Sequence, residues 1–86
     1  MEITPELVEE TKKWLGEAGL KFFRGLHEKY GDEFGIACWM EGDIPHPVHF
    51  REGMQVRNKL RDLTDGGWTA HEYDDNWHRV IKECLA

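Results

Sequence analysis

The apolar positions of the 86-residue chain fall into stretches of helical period and one short run of a different kind. In the centre, His49, Gly53, Val56, Leu60 and Leu63 recur at steps of four, three, four and three, the repeat of one face of an α-helix. This seam predicts a helix that opens after Pro47 and reaches Thr64. Gly53 lies within it, although a glycine inside a helix costs about 1 kcal/mol against alanine. The expectation is that another backbone or a bulky ring comes close there. His49, Arg57 and Asn58 lie beside the apolar line.

Upstream, Thr4-Pro5-Glu6 has the form of a helix start. Threonine caps, proline takes the first helical position where its missing donor does no harm, and an acid faces the positive end of the dipole. Leu7, Thr11, Trp14, Leu15, Ala18, Phe22, Leu26 and Tyr30 then follow at three- and four-residue steps. Gly16, Gly19 and Gly25 interrupt the run, and the Gly16–Gly19 segment leaves one kinked helix and two shorter ones as equal alternatives. Tyr30-Gly31-Asp32 reads as a glycine stop.

Phe34–Met40 is the strand candidate, bounded by glycines and ended by Glu41-Gly42-Asp43, with a short buried helix as the alternative its nearly all-apolar run leaves open. A strand needs a partner for its backbone; the choices are Trp68–Tyr73, after the Asp65-Gly66-Gly67 turn, or the same strand of another subunit. Asp43–Pro47 is a stiff linker, because each proline pushes the preceding residue toward extended geometry. A closing helix follows, with Asp74 as its cap and Trp77, Val80, Ile81 and Cys84 on one face. The expected fold is mainly α, with α+β as the alternative. It is a compact three- to four-helix single domain over residues 1–86, with one short strand or hairpin.

Composition narrows the classes. Hydrophobic residues make up 40% of the chain and include four tryptophans, enough to build a core at this size, so disorder is not expected. Two cysteines, Cys38 and Cys84, are too few for a disulfide scaffold and follow no secretory signal, which points to reduced thiols and a cytoplasmic protein. Without an apolar run near the roughly 20 residues of a membrane span, no membrane is expected. Net charge is −6, and residues 45–63 form the one segment with a basic excess, between acidic flanks. That distribution favours internal pairing and makes nucleic acid a poor partner.

Arg57 stands one position beyond the seam, where a carboxylate of the closing helix can accept its fork of donors. His49, Arg57, Asn58, Asp74 and Asp75 therefore form the candidate cluster. Its structural reading is a pair that docks two helices, and its functional reading is a pocket for an anion or a ligand carboxylate. His46, His49, His71 and His78 lie among carboxylates, but no H-E-x-x-H or C-x-x-C occurs, so neither a metal nor another cofactor is expected. Cys38, inside an apolar run, is a poor nucleophile. The large rings exceed what so small a core readily hides, so some are expected on a partner surface.

The residues H-F-x-x-G-M-x-V-R-N-x-L (His49–Leu60) followed by D-D-x-W-x-x-V-I (Asp74–Ile81) resemble a pattern in small bacterial and phage-type proteins. The resemblance implies no activity. It does group His49, Gly53, Arg57, Asn58, Asp74 and Asp75 as one unit. The expected function is that of a small acidic protein-interaction module without catalysis, of the accessory or inhibitor type found on phages and mobile elements. Its partner would be a protein with a basic surface, or a second copy in a homodimer. The competing class is an enzyme or small-ligand binder built on the polar cluster, with or without a metal.

Overall fold

The computed structural model describes residues 1–30, 40–41, 44–45 and 51–86. The protein is mainly helical. Among the described residues, helix α1 spans Pro5–Tyr30, α2 Glu52–Leu63 and α3 Ala70–Leu85. A two-residue antiparallel ladder, β1 (Met40–Glu41) and β2 (Ile44–Pro45), sets Met40 opposite Pro45 and Glu41 opposite Ile44. Of the expected strand, residues 34–39 lie outside the described residues.

Helix α1 is one helical run broken at a single residue. Gly16 has φ 67° and ψ −174°, a backbone region essentially reserved for glycine. Among the described residues a Cβ there would meet nothing within 4 Å, so it is the backbone conformation that favours the glycine. The break also shifts the phase of the buried face. Leu7 and Thr11 are buried ahead of it, as their spacing predicts, but beyond it Phe23 is buried while Phe22 is 36% exposed. The continuous face through Ala18 and Phe22 is thereby corrected to one that restarts after Gly16.

Helix α2 follows the central seam. Gly53, Val56, Arg57 and Leu60 are buried, and Leu63 packs partly buried against the core. It starts at Glu52, later than expected, and His46 and His49 lie outside the described residues.

The third helix differs from the sequence expectation in its start and in its cap. Trp68–Tyr73 is no strand, because α3 begins at Ala70, and its cap is Thr69, four residues ahead of Tyr73 and five ahead of Asp74. The Glu72 backbone N–H donates to Thr69 Oγ1 at 3.1 Å, and the Thr69 N–H donates to Glu72 Oε1 at 2.8 Å. This is a capping box, two end-of-helix donors satisfied reciprocally. The Thr69 amide, as the largest influence, holds the Glu72 carboxyl below its usual range.

The core lies where the three helices meet. Trp77, Val80, Ile81 and Cys84 of α3 pack with Leu7 and Phe23 of α1 and with Val56 and Leu60 of α2, all ten per cent exposed or less. The Phe23 and Trp77 rings meet edge-on at 6.3 Å, a favoured aromatic geometry. No helix among the described residues is long and apolar enough to cross a membrane.

Candidate functional site

Of the five cluster residues, the fold joins Arg57 and Asp74. Because α2 carries Arg57 beside its buried seam and α3 carries Asp74 on its second turn, the guanidinium Nη1 donates to Asp74 Oδ1 at 3.1 Å. The Arg57 side chain is 11% exposed and that of Asp74 41%, so the pair straddles the margin of the core. One end is dry and the other wet. Asn58 turns outward, and its Oδ1 accepts a long 3.5 Å bond from Arg61 Nη1, while Asp75 is exposed. His49 lies outside the described residues.

A second network had no counterpart in the sequence reading. The Trp68 backbone N–H donates to the Tyr73 hydroxyl at 3.3 Å, the Tyr73 and Thr64 hydroxyls share a short bond, and the Thr64 hydroxyl donates to the Leu60 carbonyl at 2.8 Å. Because the Thr64 proton is committed to Leu60, Tyr73 is the donor to Thr64, and each proton in the chain is used once. Around this relay, the Trp68 and Tyr73 rings stack at 5.2 Å, and the Arg61 guanidinium sits 5.0 Å over the Tyr73 ring. The α2–α3 corner is thus held by a satisfied polar chain beneath stacked rings. It turns through Asp65 and Gly66, both at positive φ, with the Gly66 N–H bonded to the Arg61 carbonyl at 2.9 Å. The readable signal was Thr69-x-x-Glu72, which places Tyr73 in the first turn of a helix, facing back toward Thr64.

Cys84 is 1% exposed, its Sγ donates to the Val8 carbonyl at 3.5 Å, and burial pushes its pKa up to about 11. Such a thiol is a packing group rather than a nucleophile. Cys38 lies outside the described residues. His78 Nδ1 is buried with no hydrogen-bond partner among the described residues, and burial, helped by Arg79, lowers the pKa of its ring below 6.5. Among the described residues, no three His, Cys, Asp or Glu side chains converge to hold a metal ion.

The feature with the reach of a binding surface is apolar. Trp14 is 40% exposed and Phe22 36%, and with Ala18 and Phe23 of α1 they line a cleft of about 430 Å³ closed on its other side by Glu52 and Gln55 of α2. Met54, 46% exposed, stands on the same helix as those last two residues. Of the described rings, Trp14, ahead of the break at Gly16, and Phe22, beyond it, are the large exposed ones. Compared with protein-family models, with curated proteins and with solved structures, the chain matches none.

Proposed function

We propose that this chain is a small acidic protein-interaction module without catalysis, working as an accessory or inhibitor-like protein in the cytoplasm. The observation that carries the reading is the Trp14–Phe22 face of α1, where two large rings remain more than a third exposed beside a cleft, while Phe23, Trp68, Tyr73 and Trp77 are buried. Exposed aromatic side chains beside a groove are typical anchors of protein interfaces. The net charge of −6 adds a second property. It speeds encounter with a basic protein and disfavours nucleic acid.

Phe22→Glu tests the reading, since it places a charge on the face at the loss of one edge-on contact with the buried Phe23 ring. The expected result is loss of association, followed by light scattering and by pull-down with the purified protein as bait, with the melting transition lowered but still cooperative. A wild-type protein that stays at 10.1 kDa and retains the same proteins as the variant would overturn it.

A further inference from the structure

The break in α1 rests on two glycines that act for different reasons. Gly16 supplies φ 67° and ψ −174°, a backbone region that residues with a Cβ avoid. Gly19, inside the helical segment beyond it, supplies clearance: a Cβ there would lie 3.0 Å from the Cβ of Leu15 and 3.2 Å from its Cδ2. In an unbroken helix, residues four positions apart hold their Cβ atoms about 5–6 Å apart. The close approach therefore belongs to the bent form, in which Leu15 ahead of the break is folded onto Gly19 beyond it. Both glycines permit the bend, and a straight α1 needs neither.

The bend divides α1 into an arm, residues 5–15, and a segment, residues 17–30, from which the chain leads on to α2 and α3. The arm closes on α3: Leu7 and Thr11 are buried, Val8 and Leu15 pack against the core, and the Val8 carbonyl accepts from Cys84 Sγ at 3.5 Å. We propose that this arm is exchangeable between two copies of the chain. When Gly16 takes helical φ and ψ, α1 becomes one continuous helix, the arm leaves its own α3 and docks on that of a second copy, and the second copy's arm does the reverse. The contacts of the arm with α3 are remade, so the two forms bury the same apolar side chains there. Joining two chains opposes the exchange and makes it depend on concentration, whereas unbroken helix across Gly16, gained in both chains, favours it. A one-residue connection between two packed elements leaves no loop to absorb the change, the arrangement from which domain swaps arise. The exchange also acts on the exposed cleft. Trp14 and Leu15 line it from the arm, and Ala18, Gly19, Phe22 and Phe23 from beyond the break, so straightening α1 takes the cleft apart. The inference goes beyond the protein-contact reading of that face and stands without it.

Sedimentation of the full chain tests the exchange, after the protein has been held at millimolar concentration just below its melting temperature, cooled and diluted. Wild-type chain is expected to yield a minor dimer that survives dilution in the cold and returns to monomer on warming. Gly16→Ala and Gly19→Ala, which oppose the bend through backbone strain and through contact with Leu15, should each lower the dissociation constant of the dimer at least about tenfold. In dilute solution the Gly16→Ala monomer remains less stable than wild type. Gly25→Ala is the control: it gives a similar gain in helix propensity away from the bend and should leave the monomer in place. D-alanine installed at position 16 by chemical ligation prefers positive φ and should abolish the dimer. In dimers formed from differently isotope-labelled copies, the Val8–Cys84 contact should appear between copies. A dimer that keeps this contact within one copy overturns the exchange, as does a wild-type chain that yields no dimer. So do Gly16→Ala and Gly19→Ala chains that stay monomeric or unfolded at every concentration, or a Gly25→Ala chain that dimerises as readily as they do. Phe22 stays with its own copy's α2 and α3 in either form, so Phe22→Glu leaves the exchange in place while removing the partner contact, and the two readings fail separately.

Discussion

At the scale of single residues, the most consequential polar atom is the imidazole of His78. Its pKa is lowered in the folded protein, first by burial and then by Arg79, so that the unfolded chain, titrating near 6.5, takes up the proton first. Stability contributed by the neutral ring is complete above that value and is lost as pH falls from about 6.5 through the lower folded value. The melting temperature should therefore drop on acidification from pH 7 toward pH 5, and His78→Gln should flatten the part of the curve above pH 5.5. Equal slopes for wild type and variant would show that His78 plays no part. The residue scale also shows where legibility ended. Arg57 could be placed at the core margin from its position beside Val56 and Leu60, and its acceptor narrowed to Asp74 or Asp75, of which the fold selects Asp74. Tyr73 could not, because its role depends on a hydroxyl meeting Thr64 across a turn, and no spacing rule encodes that meeting.

At the scale of elements, helical period identified α2 and the core face of α3 from sequence, and the glycine cluster located the break in α1. The side chains exchanged by that break were not legible. A period carried straight through Gly16 buries Phe22, whereas one residue at φ 67° restarts the phase and buries Phe23. The start of α3 was misplaced for a related reason. Trp68–Tyr73 contains β-branched and aromatic residues that favour strands, but a reciprocal cap between Thr69 and Glu72 outweighs that weak preference. Gly16→Ala tests the first point. Since alanine at that φ and ψ is strained by roughly 1–3 kcal/mol, chemical denaturation should show a loss of that order, although alanine is the better helix former and has free space around its methyl. A gain in stability would mean that α1 straightens without harm, and the phase of its buried face would then owe nothing to Gly16.

At the scale of the whole molecule, the docking of α2 on α3 combines a hydrophobic seam, the Tyr73 relay and the Arg57–Asp74 pair. Fully buried ion pairs cost about 3–5 kcal/mol to break. This one should cost less, because Asp74 is 41% exposed and rehydrates when its partner is removed. Arg57→Ala is accordingly expected to lower unfolding free energy by about 1–2 kcal/mol in urea titration. An unchanged midpoint, coupled with loss of binding to a carboxylate or phosphate ligand, would instead assign the cluster to recognition. This separation was available from sequence as two competing roles for the same five residues, and the fold brings together the pair on which the docking role depends.

The bond from the Cys84 thiol to the Val8 carbonyl joins positions 76 residues apart. Its consequence lies in the order of assembly. During synthesis the opening stretch of α1 can coil locally and α2 can meet it, but most of the surface on which α1 closes belongs to α3. Until α3 emerges, the Phe23 ring lacks Trp77 and the Val8 carbonyl lacks the Cys84 thiol. The opening helix thus keeps part of its greasy side uncovered until the last of the described helices arrives.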